Sequence, residues 1–135
     1  MFELFDRVSD HTMRKKKILL AEDNLINQKV ALLMLNKYDQ IIDLADNGQI
    51  AVEKFKNDLY DVVLMDLHMP ELDGFEATMK IREIEEEQNR STKVKIYAMT
   101  ASSVIDEREH CIEVGMDGYL SKPFSAQDVM KILSN

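Results

Sequence analysis

The chain has 135 residues, 45% of them hydrophobic and 31% charged, with four Gly, two Pro and a single Cys. That composition describes one globular domain with a substantial core, and it excludes collagen-like, low-complexity and disulfide-scaffold classes. Seventeen Lys and Arg against twenty-five Asp and Glu leave a net charge of −8, which makes nucleic acid or an anionic membrane a poor direct partner.

Residues 1–16 stand apart as an N-terminal tail or linker. Phe2, Phe5 and Val8 form a short apolar stripe there, and a basic cluster runs from Arg14 to Lys17. From Lys17 onward short apolar runs alternate with longer amphipathic ones, the mark of βαβ units around a parallel sheet buried on both faces. The predicted strands are Lys17–Ala21, Ile41–Ala45, Val62–Met65, Lys95–Met99 and Gly118–Ser121. The helices between them are Asn24–Lys37, Asn47–Asn57, Asp73–Glu87, Ser103–Val114 and Ser125–Leu133. Ile26, Val30 and Leu33 fall at i, i+4, i+7 in the first helix, and Ala126, Val129, Met130 and Leu133 keep a similar spacing in the last. Asp73 and Glu76 read as a capping box that opens the third helix. Glu85, Glu86 and Glu87 read as its solvated end, Cys111 as a buried structural thiol, and the nine Met as core fillers. No internal repeat or linker interrupts the alternation. No apolar run approaches the ~20 residues that cross a bilayer, and one cysteine permits no intrachain disulfide, so the expectation is a soluble, cytoplasmic chain.

In an open α/β sheet, function sits just beyond the carboxyl ends of the strands. There the chain places Glu22 and Asp23 after the first strand, Asp66 after the third, Thr100 after the fourth, and Lys122 and Pro123 after the fifth. A polar residue at one strand end is ordinary capping chemistry; convergence at four is harder to reach by chance. Paired carboxylates repel by about 1 kcal/mol at 4 Å in water and about 4 at an effective dielectric of 20, so three together call for a divalent cation. Oxygen ligands that leave room for water suit Mg²⁺. A carboxylate nucleophile, a metal, an ammonium and a hydroxyl are the parts that phosphoryl transfer needs. Asp66, at the end of the apolar run DVVLMD, is placed as a fixed nucleophile would be.

Four segments carry a family resemblance: ILLAEDNLINQKVA (Ile18–Ala31), DVVLMDLHMPELDGFEA (Asp61–Ala77), AMTA (Ala98–Ala101) and GMDGYLSKPF (Gly115–Phe124). In this order and spacing the chain resembles a receiver domain of a two-component response regulator, from about Lys17 to residue 135, and most of all the receivers of hybrid histidine kinases. The resemblance implies a doubly wound, five-stranded parallel sheet of flavodoxin-like order 2-1-3-4-5. It implies Asp66 as phosphoacceptor, taking a phosphoryl group from a histidine kinase or a histidine phosphotransfer protein. Glu22, Asp23, Asp66 and the backbone carbonyl of His68 would hold Mg²⁺ or Mn²⁺. Lys122 would pair with a phosphoryl oxygen, aimed by a cis peptide between Lys122 and Pro123. Thr100 would hydrogen-bond the phosphoryl group and Tyr119 would swing into the space its movement leaves. The output face would be the fourth helix, fifth strand and fifth helix, open to a phosphorylation-dependent protein partner or a second copy.

Two positions depart from the family pattern: Asp39 stands where Gly is usual before the second strand, and Lys95 where Pro is common before the fourth. His68 and Ser102 flank the site at positions that tune acyl-phosphate lifetime in this family. The length leaves no room for a DNA-binding or catalytic output domain. The reading is therefore a signalling domain that catalyses only its own phosphorylation and dephosphorylation, either a single-domain regulator or the receiver of a hybrid kinase. The alternatives are a phosphorylation-independent scaffold and an aspartyl-phosphate phosphatase. Against the phosphatase, His68 occupies the position two after the nucleophile where such enzymes carry an acid.

Overall fold

The computed structural model describes residues 15–101, 105–122 and 125–134. The expected tail is therefore almost wholly outside the described residues, as are Ser102, Val104, Pro123 and Phe124, and with Pro123 the expected cis peptide. Five strands, β1 (Lys17–Ala21), β2 (Ile41–Ala45), β3 (Val62–Asp66), β4 (Lys95–Thr100) and β5 (Gly118–Ser121), alternate with five helices. These are α1 (Leu25–Asn36), α2 (Gly48–Asn57), α3 (Gly74–Glu87), α4 (Ile105–Val114) and α5 (Ala126–Ser134). The strands are all parallel, as the alternating pattern predicts, and lie in the order β2-β1-β3-β4-β5 that the family resemblance implies. No helix among the described residues is long and apolar enough to cross a membrane.

Alternate residues of the central strands feed two separate cores. Leu19, Val63 and Met65 pack with Phe55 of α2, Phe75 and Ile81 of α3 and Cys111 of α4. Ile18, Leu20 and Leu64 pack on the other face with Ala31 and Leu35 of α1 and Val129 and Ile132 of α5. All five residues of β3 are buried, which is why that strand reads as a continuous apolar run rather than an alternation. Three further methionines, Met69, Met99 and Met116, are buried as well, whereas Met79 and Met130 are exposed and do not fill the core as expected. Helix starts follow the caps: Asn24 accepts from Asn27 N, Asn47 from Ile50 N, and Asp73 and Glu76 form the full capping box. Asp39 holds a left-handed φ of 53° in the turn before β2, a conformation in which glycine would be relaxed.

Three expectations change. First, β3 and β4 each run one residue further than the pattern indicated, so Asp66 and Thr100 are the last strand residues rather than the first loop residues. Second, the Ile26, Val30 and Leu33 stripe that announces α1 lies outward, at 71%, 39% and 69% exposure, while Gln28, Ala31 and Leu35 face the sheet. The helix is real, but the small Ala31 side is the one that lets it approach β1 closely. Third, Glu85 is buried rather than solvated. Arg82 Nη1 donates to one of its oxygens at 2.8 Å and the Val94 N–H to the other at 2.6 Å, so the carboxylate ties α3 to the chain entering β4.

Candidate functional site

Strand order reverses between β1 and β3, because β1 leads outward to β2 and every later strand lies on the other side. Ligand crevices in such sheets open at the carboxyl ends of the strands flanking that reversal. The register pairs Ala21 with Met65, so the next residues along, Glu22 and Asp66, come up side by side there. Glu22 extends the ladder, its N–H donating to the Ala45 carbonyl at 3.0 Å, and its side chain is 2% exposed at the residue level. Its Oε2 accepts from Asn24 N at 3.1 Å. Asp23 points to solvent. Asp66 is buried, and its Oδ1 accepts from His68 N at 3.3 Å.

The loop after Asp66 is held by its contacts. Leu67 N donates to the Met99 carbonyl, Gly74 N to the Leu67 carbonyl, and Met69 is buried. Gly74 is required by space: a Cβ there would stand 2.3 Å from the Asp66 carbonyl oxygen. Lys122 follows β5 with its N–H on the Thr100 carbonyl at 2.9 Å. Its ammonium lies 2.7 Å from Glu22 Oε1 and 3.1 Å from Asp66 Oδ1. Thr100 is buried at the end of β4. Glu22, Asp23 and Asp66 can each bring an oxygen within 4.8 Å of the other two.

The electrostatics are unbalanced. Three carboxylates cluster beside one ammonium, which pairs with Glu22 and Asp66 but not with Asp23, leaving a surplus of negative charge in a half-enclosed place. Burial, and then the neighbouring Glu22, push the Asp66 carboxyl up to about 6, against the pull of Lys122. Burial is the largest single influence on Glu22 and works against its charged form, but the hydrogen bonds from Lys122, Asn24 N and Asp66, together with the Lys122 charge, outweigh it and the carboxyl is lowered. Burial would lower Lys122 in turn, and its two carboxylate partners raise it instead. A hard dication with oxygen ligands answers this surplus, and the donor set present, carboxylates with an exposed Asp23 leaving a wet side, fits Mg²⁺. A cavity of about 270 Å³ opens beside Glu22 and Lys122, bounded by Asn27, Val30, Ala31, Met99 and Ala101.

The chain matches the response regulator receiver domain family over residues 18–134. The chain belongs to the receiver domain family. It is 40% identical over 134 residues to Histidine kinase 2 of Arabidopsis thaliana, a match covering 87% of this chain and 11% of that far longer protein. Its fold is similar to the co-crystal structure of the Saccharomyces cerevisiae histidine phosphotransfer signaling protein Ypd1 and the receiver domain of its downstream response regulator Ssk1 (TM-score 0.82, 33% identity, 88% of this chain and 86% of that one). It is similar also to the receiver domain of the histidine kinase CKI1 from Arabidopsis thaliana complexed with Mg²⁺ and BeF₃⁻ (TM-score 0.80, 29% identity, 94% and 96% covered).

The receiver's site thus brings together five residues that the sequence singled out, Glu22, Asp23, Asp66, Thr100 and Lys122. His68 lies two residues after Asp66 but sends its ring away from the carboxylates: Nε2 lies 3.0 Å from Glu107 Oε1 of α4. Tyr119 is half-buried against the α3–α4 core, with the Arg108 guanidinium 4.4 Å from its ring centroid. Sequence reasoning missed Glu107 and Arg108, adjacent members of a charged helix with nothing in their spacing to mark them. It also missed Gln28, for which a signal existed: a polar residue on the face shared by Ala31 and Leu35.

Proposed function

We propose that this receiver is the phosphoacceptor of a phosphorelay, with Asp66 as the nucleophile, and the observation that carries this is the convergence of Glu22, Asp23, Asp66 and Lys122 on one strand edge. Asp66 attacks the phosphorus of a phosphohistidine on a histidine kinase or histidine phosphotransfer protein. The new O–P bond makes an acyl phosphate, the N–P bond breaks, and the imidazole nitrogen keeps the electron pair and takes a proton. Attack by water later releases inorganic phosphate and restores the carboxylate. Magnesium, held by Glu22, Asp23, Asp66 and the His68 carbonyl, would neutralise the phosphoryl oxygens. Lys122 leaves its two carboxylates for a phosphoryl oxygen, and Thr100 donates its hydroxyl to another. With Thr100 drawn toward the site, Tyr119 has space to turn inward and alter the α4–β5–α5 face.

The donor's approach is marked by α1. Leu25, Ile26 and Leu33 are each at least 65% exposed, and Val30 belongs both to this apolar face and to the cavity beside Lys122. A histidine-bearing helical partner seated there would present its ring to Asp66.

The test is intact-mass analysis of wild type and Asp66→Asn after incubation with acetyl phosphate, with and without Mg²⁺. One phosphoryl group on wild type alone, only with Mg²⁺, is the expected result. No adduct, with a silent beryllofluoride titration, would overturn the reading in favour of a phosphorylation-independent scaffold. Ile26→Asp with Leu33→Asp should leave this labelling intact while slowing transfer from a phosphohistidine protein by about tenfold or more.

A further inference from the structure

The inward face of α1 carries one polar residue, Gln28, among Ala31 and Leu35, and it is 4% exposed. Burying a primary amide costs about 1–3 kcal/mol unless its hydrogens are taken up. Here the Nε2 group reaches the Glu22 carbonyl oxygen at 2.6 Å and Asp46 Oδ1 at 3.1 Å. Both partners only accept, so chemistry alone decides which end of the amide faces them. A methionine would fill the same volume without any polar cost. The amide is therefore spent on the two loops it joins, β1–α1 and β2–α2.

We propose that Gln28 is a positioning residue for the acidic loop: it holds the Glu22–Asp23 peptide so that both carboxylates converge on Asp66. The carbonyl it grips belongs to the peptide linking those two residues, and that peptide plane sets the direction in which each side chain leaves the backbone. The preceding peptide is already fixed by Glu22 N on the Ala45 carbonyl. With Gln28 on the following one, Glu22 is clamped on both sides, and Asp23 inherits its orientation. Asp46 gives the clamp an anchor on the neighbouring strand end, where Ala21 is paired with Ala45. Groups that orient metal ligands in this way commonly change affinity by 10- to 100-fold when removed.

This inference rests on the metal-binding reading above. Mg²⁺ dissociation constants would be measured by isothermal titration calorimetry for wild type, Gln28→Met, Gln28→Asn and Asp66→Asn, each confirmed folded by circular dichroism. Methionine keeps the volume without the donors; asparagine keeps the donors one methylene too short, and covers the case in which methionine disrupts the fold. The expected result is a dissociation constant raised about tenfold in both Gln28 variants, with faster amide exchange at Asp23 and Asn24 without metal. Acetyl-phosphate labelling should recover fully at saturating Mg²⁺, because Asp66 itself is untouched. Mg²⁺ affinity within twofold of wild type in a folded Gln28 variant would overturn the proposal alone. Absence of Mg²⁺ binding to wild type, or equal binding to Asp66→Asn, would instead overturn the metal reading and this proposal with it.

Discussion

Glu85 and Asp66 are both buried carboxylates facing a cation, at opposite ends of the same parallel sheet. At the entering end, Glu85 has one oxygen on Arg82 and the other on the Val94 N–H. Arg82 spends its remaining hydrogens on the Gly115 and Val94 carbonyls and on Asp117, whose carboxylate also accepts from Ile96 N. The charges there are matched by backbone groups that cannot leave. At the exit end, Asp66 shares the Lys122 ammonium with Glu22, and its own backbone contact from His68 is a long 3.3 Å. One cluster is closed by backbone groups, and the other holds more carboxylates than its one ammonium matches. The same residue types become a staple, or the site proposed to react, according to whether backbone N–H groups satisfy the carboxylate.

Three measurements bear on that contrast, and the largest effect belongs to the staple. Glu85→Ala strips the acceptor from a buried N–H and leaves Arg82 short of a partner, and should cost about 3 kcal/mol in chemical denaturation. Acetyl-phosphate labelling of the folded variant should stay within about twofold of wild type. A cost near zero would mean that solvent already satisfies this end, and the contrast would fail.

The reactive end should respond in the opposite direction. Folding raises the Asp66 carboxyl to about 6, while an unfolded chain keeps it near ~3.9. Between those values the folded chain binds more protons than the unfolded one, so stability falls as pH rises through the interval. The penalty is complete above about pH 6 and absent below about pH 4. In EDTA, Asp66→Asn should therefore stabilise the domain at pH 7.5, by about 2 kcal/mol once solvent screening reduces the full effect of the shift, and the gain should vanish toward pH 4. Mg²⁺ should restore the balance for wild type, by about 2.7 kcal/mol at a hundred times its dissociation constant, and do nothing for the variant. A gain of equal size at both pH values would locate the effect in packing instead of charge.

Much of this is legible in the amino-acid sequence. Strands buried on both faces must be apolar throughout, so their runs stand out, and a parallel sheet with short loops brings their ends to one edge. That is why Glu22, Asp66, Thr100 and Lys122 could be grouped from spacing alone. The failures share a cause as well. Periodicity reports that a helix has an apolar face without saying which way it turns. On α1 the larger apolar stripe faces outward, and the side carrying Gln28 faces the sheet. Glu85 was invisible because its partners, Arg82 and the Val94 N–H, meet it only once α3 lies beside the start of β4. Glu107 and Arg108 reach rings on the β3–α3 loop and on β5, and pairings of that kind leave no local trace.

The smallest expected effect concerns those last contacts. Arg108 lies over the Tyr119 ring at 4.4 Å from a helix residue that is itself exposed, a cation–π contact worth about 0.5–1 kcal/mol. Global stability of Arg108→Ala should thus change by no more than about 1 kcal/mol. The ring, however, is the element proposed to turn inward, and the guanidinium favours its present half-buried position. Removing 0.5–1 kcal/mol of that preference should raise the inward population about two- to fivefold without phosphorylation. Ring-proton and ring-carbon NMR signals of Tyr119 should therefore move partway toward their positions in the beryllofluoride-treated protein. Unmoved signals in the variant would mean that the packing of Tyr119 against the α3–α4 core, and not the Arg108 cap, holds the ring. The guanidinium would then be part of the solvated surface of α4, and the inert character of the entering end would extend further up the molecule than the charge contrast suggests.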